Sequence, residues 1–86
     1  MAIARVIDEQ VLGCKSIAFD EHALQRMNER GVSEDVVIAV LHDPEQTGLP
    51  TQSNRFRYRK TLAGRVIDVV FEHDPTQIVV ISVLTR

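Results

Sequence analysis

The sequence predicts an α+β domain, with N-terminal helices packed on a three- to four-stranded antiparallel sheet. Three observations predict it. Apolar residues in the first half recur at helical spacing between recognisable caps, whereas the last 32 residues are rich in Val and Ile and read as short strands. Between the halves lies PEQTGLPTQSN, residues 44–54, in which Pro44, Gly48 and Pro50 punctuate a polar run. All 86 residues belong to one domain, without repeats or low-complexity tracts.

Residues 3–12, IARVIDEQVL, place Ile3, Ala4, Val6, Ile7 and Val11 on one helical face and Arg5, Asp8 and Glu9 opposite, with Gly13 as a stop. Residues 1–14 therefore read as an N-terminal helix or arm, a strand being the other option for so short a segment. Residues 14–18 then connect in extended form. Asp20 is an N-cap and Phe19 can staple onto Leu24, so a helix is expected over about residues 21–30, closed by Gly31 in a left-handed conformation. Ser33 caps a second helix over about residues 34–41, whose β-branched residues require packing to hold it. Asp43-Pro44 stops that helix.

Three strands are expected at residues 55–60, 65–72 and 78–84, joined by turns near Ala63-Gly64 and Asp74-Pro75. Pairing Lys60 with Arg65 sets Tyr58 against Ile67, Phe56 against Val69 and Arg57 against Asp68. Strict alternation then leaves Val66, Val70, Ile78, Val80 and Leu84 on the face away from the helices, beside Asp68, Glu72 and the arginine row. An apolar face of that size needs a cover, either the N-terminal helix or a second copy, and a homodimer is expected.

The composition excludes several classes. Hydrophobic residues make up 44% of the chain with only three Phe, one Tyr and no Trp, which describes an aliphatic globular core. A single cysteine, Cys14, cannot close an internal disulfide or build a cysteine-rich metal site, and no apolar run can span a bilayer. A cytoplasmic protein without a membrane segment is expected. His22, His42 and His73 lack ligand spacing, so neither metal nor cofactor is expected.

A net charge of −2 argues against a strongly basic nucleic-acid binder, but the charge is unevenly placed. Residues 1–54 carry four basic and nine acidic side chains, whereas residues 55–86 carry six basic and three acidic ones. Arg55, Arg57, Arg59, Lys60 and Arg65 fall within eleven residues that contain no acid, a pattern suited to binding nucleic-acid phosphates or to defending a solvated edge strand. On the first helix, His22, Arg26 and Arg30 line one arc beside Ala23 and Met27. An imidazole that exchanges protons near neutrality and guanidinium groups that clamp phosphate would suit phosphoryl chemistry. The plainer alternative is that the Arg stems cover the rim of the core and pair with Glu29 or nearby carboxylates.

The run His22-Ala23-x-x-Arg26-Met27-x-x-Arg30-Gly31-Val32-Ser33, followed by an apolar helix, Asp43-Pro44 and three strands, resembles a small bacterial family grouped with RelE-like and BrnT-like toxins, within the barnase, colicin and RelE type of ribonuclease fold. The resemblance covers about Phe19 to Leu84. It implies a toxin-type domain acting on RNA as a metal-independent endoribonuclease, with an antitoxin protein as partner. It also implies roles: His22 as base or acid, Arg26 as phosphate clamp with Arg30 beside it, and Arg57 or Arg59 as a second cation. The alternative is a non-catalytic nucleic-acid-binding homodimer, or a protein-interaction module that keeps the fold.

Overall fold

Two strands, and not a helix, precede the first helix. The computed structural model describes residues 2–86, in the order β1 (Ile3–Val11), β2 (Cys14–Asp20), α1 (Glu21–Arg30), α2 (Glu34–His42), β3 (Phe56–Leu62), β4 (Arg65–His73) and β5 (Gln77–Thr85). The strands form one mixed sheet ordered β1-β2-β5-β4-β3, in which β2 and β5 run parallel and every other pair is antiparallel. This overturns the expected arrangement of N-terminal helices on a three- to four-stranded antiparallel sheet. The physical reason lies at Leu12-Gly13. Both residues adopt positive φ, 53° and 80°, and so make a two-residue hairpin turn that folds Ile3–Val11 back onto Cys14–Asp20. Once turned, Ile7 meets Ile17 and Val11 meets Cys14 on the helix side, a pairing that a lone nine-residue helix cannot match.

Helix α1 has the predicted bounds. The Asp20 carboxylate accepts from the His22 amide at 3.2 Å, and Gly31, at φ 63°, lets Val32 N–H donate to Met27 O at 2.9 Å. Ser33 Oγ accepts from Val36 N–H at the start of α2. Both helices lie on one face of the sheet. Ala23 and Met27 from α1 and Val37, Val40 and Leu41 from α2 join Ile17, Phe19, Ile67, Val69, Phe71, Ile78, Val80 and Val83 in the main core.

The β3–β4 turn is two residues long, with Ala63 and Gly64 both at positive φ, so Leu62 pairs with Arg65 and the whole register sits two residues from the expected one. Phe56 faces Phe71, Tyr58 faces Val69, Arg57 faces Val70 and Arg59 faces Asp68. Because the displacement is even, every β3 side chain still points to the predicted face.

Strand β5 departs more. Ser82 pairs with Val70 but Val80 pairs with Phe71, so Ile81 is an extra residue that switches the alternation. Ile78 and Val80 therefore enter the main core, and not the open face as strict alternation required. The open face instead carries a smaller apolar group of Ala18, Val70, Val79 and Ile81.

Candidate nucleic-acid interface

The open face is shaped by the loop 43–55 and by a buried carboxylate. Leaving α2, the chain pairs Gln46 with Arg59 on the outer edge of β3, and Glu45 N–H donates to Arg59 O at 2.8 Å. The Glu45 carboxylate also accepts from Thr61 N–H. One edge of the sheet is thereby partly covered. The loop then returns over the open face, where Pro50 and Gln52 meet Arg55, Arg57, Val70, Ile81 and Leu84 around a cleft of about 540 Å³.

Beside this cleft, Asp68 holds two arginines. Its side chain is 2% exposed; it accepts from Arg57 Nε at 2.7 Å and from Arg59 Nε and Nη2 at 2.7 and 2.9 Å. Burial alone would raise the Asp68 carboxyl, but the hydrogen bonds and charges of Arg59 and Arg57 outweigh it and hold the group below the usual carboxylate range. The Asp68 hydrogen bond in turn raises the Arg59 guanidinium. Arg55 pairs with Glu72 at 3.4 Å. Three cations thus face two carboxylates, which leaves this cluster with one unbalanced positive charge in a chain that is acidic overall.

The other predicted basic residues do different work. Arg65 donates to Arg30 O and Gly31 O, satisfying carbonyls at the end of α1, and Arg30 donates to Val83 O on β5. Lys60 ties Asp43, the residue that ends α2, by its carbonyl at 2.8 Å and its carboxylate at 3.0 Å. These three fasten helices to the sheet. Phe56 and Tyr58 alternate with the arginines, so they point to the opposite face and pack on Phe71 with ring centroids 5.5 and 4.9 Å apart.

His22 is exposed on the first turn of α1, and Arg26 pairs with Glu29 at 2.8 Å. Both are carried by a helix on the face opposite Arg57, Arg59 and Asp68. The structure therefore brings Arg55, Arg57 and Arg59 together but does not bring His22, Arg26 or Arg30 to them. Sequence reasoning placed Val70 on this face but missed Ile81, which lines the cleft with it. The signal for Ile81 was hidden in an uninterrupted apolar strand, where a bulge leaves no mark on the alternation.

Among the described residues, no three His, Cys, Asp or Glu side chains gather where they could hold a metal ion. Cys14 is buried and its thiol approaches Asp74 O at 3.4 Å. Neither helix is long and apolar enough to cross a membrane. Residues 19–85 match the family described as a domain of unknown function, DUF4258. The chain belongs to that family. The description assigns the family no activity and makes no link to RelE-like or BrnT-like toxins or to the ribonuclease fold. No curated protein and no solved structure matches the chain at a significant level. The matched region starts at Phe19, so β1 and most of β2 lie before it.

Proposed function

We propose that the domain binds nucleic acid, RNA foremost, through the open face of its sheet and does so without cutting it. The observation that carries this reading is the pair of guanidinium groups held on one buried carboxylate, with Arg57 of the pair lining the cleft. A guanidinium has five N–H groups, and the Asp68 contacts engage only the Nε and Nη2 positions of Arg57 and Arg59, so donors remain for phosphate oxygens. Asp68 fixes both heads before a ligand arrives, which reduces the ordering cost of binding. Val70 and Ile81, on β4 and β5, offer the apolar body of a base a floor beside the cations of β3.

Cleavage is the weaker reading. Removing a proton from a 2′-hydroxyl needs a base within hydrogen-bond reach of a clamped phosphate. His22 sits on the far side of the sheet from the Arg57–Asp68–Arg59 cluster, which supports holding a strand over cutting it.

A fluorescent single-stranded RNA, titrated at several salt concentrations, tests the proposal. Three phosphate contacts predict a log–log slope of about −2 against salt. Arg55→Ala and Arg57→Ala should weaken binding across sequences, while His22→Ala should leave it unchanged; thermal melts confirm that each variant is folded. Binding that ignores salt, or none, sinks the reading. RNA cleavage lost on His22→Ala would replace it with the nuclease.

A further inference from the structure

The two edges of the sheet are unlike. Strand β3 is partly covered by residues 45–46, whereas β1, at the other edge, pairs only with β2. Strand β1 also carries two of the most exposed large apolar side chains, Ile3 at 44% and Val6 at 53%. An unpaired edge strand is a template for another strand unless something blunts it, and between irregularities at Ile3–Arg5 and Asp8–Val11 the stretch Arg5–Asp8 is regular. Its charges, Arg5, Asp8 and Glu9, would ordinarily do the blunting. Their spacing gives them a different use.

We infer that β1 pairs with β1 of a second copy of this chain, antiparallel and about a two-fold axis at Ile7, joining the two sheets into one of ten strands. A two-fold axis perpendicular to a sheet sets residue against residue on the same face, so only registers that pair odd with odd and even with even positions are allowed. The register centred on the regular stretch Arg5–Asp8 places Ile7 opposite Ile7 and Arg5 opposite Glu9. The last pair occurs twice, once on each side of the axis. Slipping the axis to Val6 sets Arg5 against Ile7; slipping it to Asp8 sets two Asp8 carboxylates against each other. Charge complementarity therefore selects the axis at Ile7.

Both Arg5 and Glu9 lie on the helix side, where α2 holds them. Arg5 pairs with Glu34 at the start of that helix, and Glu9 with His42 at its end at 2.8 Å. Four strand residues and eight helical residues both span about 12 to 13 Å, so helix and strand run side by side and keep the two charges extended. Arg5 binds Glu34 through Nε and Nη2, leaving guanidinium donors for Glu9 of the second copy. On the open side Val6 lies opposite Asp8, and the arginine faces of the two copies point the same way. The inference stands independently of RNA binding.

Light scattering across the micromolar range, on the full chain, tests it by charge exchange. The wild type should show a dimer mass. Arg5→Glu and Glu9→Arg, each alone, set like charges opposite each other twice and should weaken dimerisation roughly ten-fold or more. The double variant R5E/E9R restores opposite charges and should recover the dimer, although it leaves the pair with Glu34 broken, so recovery reports the contact between copies. Circular dichroism checks that each variant is folded. A wild type of monomer mass throughout overturns the inference, as does a dimer indifferent to the single exchanges or not recovered by the double one.

Discussion

Asp68 is the residue on which the open face depends. Its folded value lies below the ordinary one near 3.8, so the stabilisation from the two arginines is present above that ordinary value and is lost as pH falls through the lower folded value. Asp68→Asn should cost about 2 kcal/mol at neutral pH, since it weakens charged hydrogen bonds to guanidinium groups that still reach solvent. Urea unfolding followed from pH 6 downward checks this: the gap between variant and wild type should narrow through the acid range, and a constant gap would assign the loss to packing. At this scale the sequence was legible wherever a residue acts on its own neighbourhood. Asp20, Gly31 and Ser33 cap as their types and spacing require. Arg30, Lys60 and Arg65 were not legible, because each donates to a backbone carbonyl 17 or more positions away and a carbonyl leaves no trace in sequence.

The elements were legible in proportion to how far local signals determine them. Helices α1 and α2 and the three C-terminal strands fall within two residues of their expected bounds. Strand β1 did not, since Ile3, Val6, Ile7 and Val11 satisfy a helical period as well as a strand, and the deciding fact is pairing with β2. The bulge at Ile81 is the other lesson at this scale, and it makes a testable distinction between adjacent residues. Val80 is fully buried against the helices, whereas Val79 lies on the open face with 6% exposure. Val80→Ala should destabilise by about 2 to 3 kcal/mol, combining lost burial with a cavity that packed neighbours cannot refill. Val79→Ala should cost roughly half as much, because no helix lies over the open face and its apolar group is smaller. Chemical denaturation of the two variants checks the order, and equal costs would contradict the switch in alternation.

For the whole molecule, the two faces divide the labour. Helices, aromatic rings and aliphatic side chains occupy one side, while the paired arginines and the cleft occupy the other. The candidate site was half legible on this account: the acid-free run predicted a cationic surface, but only the topology shows that it turns its back on His22 and Arg26. The strand order has a further consequence for how the domain is made. Strand β5 lies in the sheet between β2 and β4, yet it is the last strand in the chain, and Ile17 waits for a partner, Ile78, about 60 residues downstream. At 5 to 20 residues per second a ribosome takes roughly 3 to 12 s to add that stretch. During that time β2 has only the β1 hairpin, and α1 lacks the central strand on which it rests. A nascent chain arrested before Gln77 should therefore stay protease-sensitive throughout, and one carried past Thr85 on a linker should become resistant in a single step.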